Sequence, residues 1–383
     1  MTQRMKTSMI ALVTGLLALL GAFLVTLESE PVTDTPSMVD AGVATVDAGT
    51  DAGPRDAGPP DSGPRDAGRD AGSVPTAPAA YDLGPLPAEL AGIQWPAVPV
   101  TTRVVVTSST SQLRTAIGTA GSQIRVSGTN DAITVWQSDI EMLLEPGASI
   151  SSVLIGWSAH RVSVIGGTVG RFEIMAPVSY STGRGVVNPA LAVTDVYVSG
   201  VEASVFILRG ERHAVVRSST HAPDGSVWVG DTLSYINRDI IIAGNTFRSA
   251  GPQATVRMHD VERTVTVGNR LYNGAKHNYR IHGQSDLNFA ARNLLAHTGF
   301  MIGTEPDDHL VRQWFVDNVI HYDAVNGIFI LPPHSCGACR IDTFVMTGNT
   351  AYSTAGFSPP TYPGWTVSNP AAQPFRAWPA VFE

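Results

Sequence analysis

Cysteine is nearly absent from this chain of 383 residues, and so is any concentration of positive charge. The two cysteines, Cys336 and Cys339, stand in His334-Ser-Cys-Gly-Ala-Cys339. A redox role needs a thioredoxin-like βαβ setting, which the surrounding sequence lacks. A metal site built from His334 and both thiolates lacks a fourth ligand. In an exported chain a loop disulfide between the two is the simplest reading. The net charge is −8, with no basic stretch and no stacking-aromatic motif, which excludes nucleic acid as a partner. Long apolar sequence is scarce too, and the run Ser8 to Leu27 stands out: 20 uncharged residues behind Arg4 and Lys6. It reads as an export signal, either cleaved or kept as an anchor, since the positive flank stays inside and the following chain crosses. It is just long enough to span a bilayer, and no small-x-small cleavage site stands out after it. The protein is therefore expected to be exported, at the cell surface, in the periplasm or outside, meeting a membrane only through residues 1–30.

Residues 31–80 are of low complexity. Asp-Ala-Gly or Asp-Ser-Gly begins at Asp40, Asp47, Asp51, Asp56, Asp61, Asp66 and Asp70, interleaved with Pro. Such sequence buries almost no apolar area and is expected to be a disordered tether, spanning roughly 35–45 Å as a coil. Calcium binding by the repeated Asp would need an EF-hand or nonapeptide spacing, which is missing.

What recurs is asparagine. Asn245, Asn269, Asn293, Asn318 and Asn349 follow one another at intervals of 24, 24, 25 and 31 residues. Each has apolar or small residues two and four positions earlier, Ile241 and Ala243 for the first, Val265 and Val267 for the second. Two positions later come Phe247, Leu271, Leu295, Ile320 and Ala351. Period-two alternation inside a long period near 24 residues predicts short strands repeated once per coil of an all-β solenoid. The Asn side chains are expected to be structural, stacked along the axis and hydrogen-bonded to each other. A second set of strands follows: Val227-Trp-Val-Gly230, Val256-Arg-Met-His259, Tyr279-Arg-Ile-His282, Phe300-Met-Ile-Gly303 and Ile328-Phe-Ile-Leu331. Their first and third residues should point in and their second and fourth out.

The solenoid domain is assigned to residues 81–356, with regular structure starting near Val100. Arg103 to Thr107 reads as a strand and Ser109 to Ala120 as a short helix burying Leu113, Ala116, Ile117 and Ala120. Ser111-Gln-Leu-Arg-Thr-Ala-Ile117, a Gly-containing loop and Ile124-Arg-Val126 resemble the entry to pectate-lyase-like right-handed parallel β-helices, in which such a helix covers the first coil. An uncovered end would expose apolar surface and strand edges. Residues 357–383, rich in Pro and aromatics (Trp365, Phe375, Trp378, Phe382), should cover the last coils.

The outward positions of the second strands form two columns, Trp228, Arg257, Arg280, Met301, Phe329 and Gly230, His259, His282, Gly303, Leu331. Two guanidiniums are thereby stacked beside two imidazoles. A like-charged pair at about 5 Å costs about 3 kcal/mol at an effective dielectric near 20. A carboxylate such as Asp231 or Asp260, solvent, or an anionic ligand in the Arg forks would offset it. Each residue singly could belong to a solvated face, but the cluster, flanked by Lys276, His277 and Tyr279, points to function.

Gly244-Asn-Thr-Phe-Arg248, Thr255-Val-Arg-Met-His259, Thr264-Val-Thr-Val-Gly-Asn269 and Tyr279-Arg-Ile281 together resemble the chondroitinase-B-like alginate lyase family. The resemblance covers roughly sixty residues. It implies a catalytic role for Arg257 and a cleft-lining one for Arg280. Its catalytic Lys and calcium-binding Glu belong one coil earlier, where this chain has Val227-Trp-Val-Gly-Asp231. No cofactor is expected; calcium stays the one alternative, although its usual ligands are not evident.

The expected activity is β-elimination from a uronate-containing polysaccharide, with Arg257 and Arg280 neutralising the carboxylate and His259, His282 or Lys276 as base. Tyr279 points inward and suits that role less. Trp228, Asp231, Asp260, Lys276, His277 and Glu305 are the expected substrate-binding residues. A hydrolase would instead need two carboxylates across the scissile bond. The one dense acidic group, Glu305, Asp307 and Asp308, reads more simply as a charged surface loop. The alternative to a lyase is a non-catalytic, monomeric surface module that binds glycans or builds the envelope.

Overall fold

The alternation seen in the sequence requires strands with one face in a core, and the architecture follows from stacking them. The computed structural model describes residues 81–373 except 177, 180–185, 188–190, 221–225, 231–236, 250–253, 274–276, 298–299, 303–307, 323–328, 331–339, 354–360 and 369–370. The export segment, the tether, Asp231, Lys276, Glu305, both cysteines and the last aromatics fall outside these residues. Among the described residues no helix is long and apolar enough to cross a membrane.

Twelve strands, from Arg103–Thr107 to Thr366–Val367, form one sheet in which every neighbour is parallel. Call it sheet A. From Ser226 onward each coil adds two further strands. Asn237–Ala243 in sheet A is followed by Thr246–Ser249 and then by Val256–His259, before the chain re-enters sheet A at Val261–Val267. In the coils of Ser149–Ile155, Thr168–Ile174 and Glu202–Leu208 the two are one strand. Glu202–Leu208 pairs through Glu202 with Ser219–Thr220 and through Val205 with Ser226–Val229. Crossovers between parallel strands take the right-handed sense. The chain is a right-handed parallel β-helix.

Its interior is one continuous cluster that includes Phe172, Phe206, Phe247, Val256, Met258, Tyr279 and Ile281. Phe172, Phe206 and Phe247 stack with centroids 6.1 and 5.9 Å apart. Some of the polar side chains that enter it form a bonded row. Thr264 donates to Asn288 (2.6 Å), and Asn288 donates to Gln313 (3.0 Å) on successive coils.

The asparagines lie in the turn between sheet A and the next strand, and all five are buried. Each amide Nδ2 from Asn245 to Asn318 donates to the Oδ1 of the next Asn at 2.9–3.1 Å, and that oxygen also accepts the backbone N–H of the Asn below. The same Nδ2 reaches a backbone carbonyl of the preceding coil, as Asn269 does at Ile242 (2.9 Å). Turn donors that would otherwise be buried and unsatisfied are thus paired.

The outer face of sheet A is also covered. The residues two and four places before each Asn, among them Ile241, Val265, Phe289 and Trp314, point away from the interior into a second cluster with Leu90. Tyr81, Leu83, Leu86, Ile93 and Trp95 pack against it. Residues 81–95 therefore form an arm across the outside of sheet A, although regular structure was expected only from near Val100. Arg292 donates to the Leu83 carbonyl and Arg217 lies over the Tyr81 ring.

At the first coil the helix runs Thr110–Ile117, with Ser109 as N-cap accepting from Gln112 N–H. Leu113, Ala116 and Ile117 are buried, but the helix stops before Ala120, which is exposed, because the chain turns at Gly121 (φ 71°) to enter the next strand. At the far end Thr366–Val367 and Ala371–Gln373 add to the last strands of both sheets, and Trp365 donates to Ile341 O (3.1 Å) beside Phe344.

Candidate functional site

Strand register sets the site. Val256–His259 pairs with Tyr279–His282 so that Arg257 faces Arg280 and His259 faces His282, while Trp228 lies beneath Arg257 on the preceding coil. Val256, Met258, Tyr279 and Ile281 are buried, which turns the alternate residues outward. Gly230 (φ 78°) closes the preceding strand, and a β-carbon there would stand 1.8 Å from the His259 carbonyl oxygen, so only glycine lets the coils approach.

The two columns are joined diagonally. Arg257 Nε donates to His282 Nε2 at 3.0 Å, and its guanidinium carbon lies 5.8 Å from the Trp228 ring centroid. The His282 imidazole must therefore be neutral, with its proton on Nδ1. Burial, then His259, Arg280 and Arg257, push its pKa down to about 2. His282 was expected outward and accessible, yet it is 1 % exposed. The alternation gives its direction correctly, but His259 meets it edge-on (centroids 4.2 Å apart) and Arg257 bonds it. With one nitrogen protonated and the other bonded to Arg257, it has no lone pair to act as a base.

His259 is the imidazole that remains. Its side chain is 15 % exposed, and Nδ1 lies 2.9 Å from Asp260 Oδ2, close but misaligned for a hydrogen bond. Asp260 Oδ1 accepts Gln284 N–H at 2.7 Å. Its carboxylate thus meets His259 and the next coil's backbone, not a guanidinium. His277 is buried at 6 % exposure and its carbonyl accepts Thr255 N–H. Tyr279 is buried, its hydroxyl donates to Met258 sulfur (3.2 Å), and burial raises its pKa above the ordinary range. Asp308 is buried and accepts Gly283 N–H (2.6 Å), so it serves the coil and not a groove.

Residues unnoticed in the sequence continue the same face. Thr134, Leu154, Glu173, Ile207, Trp228 and Arg257 register one above another. Glu173 is held between Arg171 (2.7 Å) and Arg209 (2.8 Å). Burial opposes its ionisation, but the two guanidiniums outweigh this and keep its pKa below the usual carboxylate range. The alternation in Arg171-Phe-Glu-Ile174, with Phe172 and Ile174 inward, was the available signal. Among the described residues no group of three His, Cys, Asp or Glu is placed to hold a metal ion.

No family model matches the chain, and neither does any curated protein sequence. Among solved structures, it is similar to the polygalacturonase from Erwinia carotovora ssp. carotovora, at 9 % identity and a TM-score of 0.37, over 73 % of this chain and 98 % of that one.

Proposed function

We propose that this face binds an anionic polysaccharide and cleaves it by β-elimination, on a protein exported through the Ser8–Leu27 segment. The supporting observation is the unit formed by Arg257, Arg280, His282 and His259. Two guanidiniums stand one coil apart, about 4.8 Å, on a chain of net charge −8. Arg257 is oriented by neutral groups, its Nε donating to the His282 nitrogen and its guanidinium lying by the Trp228 ring. A uronate carboxylate matches guanidiniums so placed, because it accepts paired N–H donors.

In the reaction, the Arg pair neutralises the carboxylate and makes the adjacent carbon acid. His259 Nε2 takes that proton, with Asp260 stabilising the imidazolium formed. The electron pair forms the C=C bond as the β C–O bond breaks, and the leaving oxygen takes a proton from His259 or water. Hydrolysis by a carboxylate pair is less well supported. Among the described residues Glu173 is bound by two arginines, Asp260 serves His259 and Gln284, and Asp308 is buried.

The test is to incubate the protein with alginate, pectate and glycosaminoglycans and follow the near-ultraviolet absorbance of the unsaturated product. Turnover lost in His259→Gln with binding retained supports the lyase. Silence on every polymer, with binding that disappears in Arg257→Ala, sinks the lyase. It leaves the second reading, a glycan-binding module, which is favoured by the absence of Lys or Glu at the outward positions Trp228 and Gly230.

A further inference from the structure

At the first coils of the same face, about 24 Å along the axis from Arg257 by five strand spacings, lies a pocket of about 380 Å³. Arg114, Thr134, Trp136 and Gln137 line it. Trp136 is 51 % exposed, whereas an indole is highly buried on average. Its position is built. The six-membered ring occupies the space a β-carbon on residue 156 would fill, 2.2 Å from Cε3, so Gly156 lets the indole lie on the neighbouring coil. Trp157 braces it edge-on at 6.3 Å and is itself tied to Ala176 O (2.6 Å). Arg114 reaches the same pocket from the capping helix and is held by Ala132 O (2.9 Å).

We infer that Trp136 is a stacking platform for a sugar ring, forming with Arg114 a distal subsite for the same anionic polysaccharide. This rests on the function proposed above. An indole with one side on the backbone and the other open offers a flat apolar face to the C–H side of a pyranose. Arg114 beside it selects an acidic sugar, and Thr134 and Gln137 supply hydroxyl and amide partners for ring hydroxyls. Arg171 and Arg209 stand between the two sites, both paired with Glu173. A chain that spans both ends would gain affinity from the second contact without new chemistry at the first.

The test measures binding of short and long oligouronates to the whole protein by calorimetry, with His259→Gln present throughout to prevent turnover. Trp136→Ala and Gly156→Ala, the latter displacing the indole without removing it, should weaken long oligomers about tenfold and leave trimers unchanged. Equal affinity for long oligomers in both variants overturns the subsite, even where Arg257→Ala abolishes trimer binding and upholds the function proposed. Weakening in both Trp136→Ala and Gly156→Ala with no effect of Arg257→Ala upholds the platform and overturns the Arg257 site. No binding of any oligouronate by the protein overturns both.

Discussion

Acidification should weaken this fold well above the pH at which its carboxylates titrate, because two histidines are buried neutral. His282 is held near a pKa of about 2, chiefly by burial, and His213 near about 4 for the same first reason, with Arg209 O bonded to its Nε2 (3.0 Å). Unfolded, each has a pKa of about 6.5. Between these values the unfolded chain binds more protons than the native one, so stability rises with pH there and is lost as pH falls. At pH about 4.5 each histidine has removed about 2.5 kcal/mol, roughly 5 kcal/mol together, relative to pH about 7.5. The ion-paired carboxylates act elsewhere. Asp139 and Asp195 are held below their usual range, by Arg161 and, against burial, by Arg212, so their contribution is lost only below about pH 4. Urea midpoints at the two pH values should differ by roughly 2 M. His282→Gln, whose amide oxygen can still accept from Arg257, should halve that difference. An undiminished difference in the variant would refute the claim that His282 is buried in the neutral form.

Three other outcomes follow from the geometry. Asn269→Ala removes bonds to Asn245 N–H, Asn245 Nδ2, Ile242 O and Asn293 Oδ1, and should cost about 4 kcal/mol in urea unfolding at neutral pH. Arg257→Lys keeps the charge but loses the Nε donor to His282 and the planar fork, so oligouronate affinity measured by calorimetry should fall about tenfold or more. Removing residues 81–95 uncovers Ile241, Val265, Phe289 and Trp314, and light scattering should show association at concentrations where the intact protein stays monodisperse.

The coil period was legible because it is written in a residue with one physical task. An amide accepts a turn N–H while it donates to a backbone carbonyl and to the next amide, so Asn recurs at five successive turns out of sheet A, from Asn245 to Asn349. The arm was not legible. Tyr81, Leu83, Leu86, Leu90, Ile93 and Trp95 cross strands instead of running along one, so their spacing has no period. The complementary signal lay in sheet A, where Ile240, Ile241, Ile242 and Ala243 are all buried: four successive apolar residues mean a strand covered on both faces.

The same distinction governs the site. Register along the axis is readable, which is why Arg257 over Arg280 and His259 over His282 could be placed from spacing alone. Burial across the columns is not, because alternation reports direction and not depth. The bond that decides the chemistry is diagonal, from Arg257 to the residue two beyond its register partner, within reach of a long side chain on neighbouring strands. That diagonal makes the two columns one unit. It fixes His282 as a neutral acceptor, orients Arg257, and leaves His259 beside Asp260 as the more exposed imidazole of the two. A change at either Arg257 or His282 must therefore disturb the other column as well, and their effects on oligouronate affinity should be strongly non-additive in a double-mutant cycle.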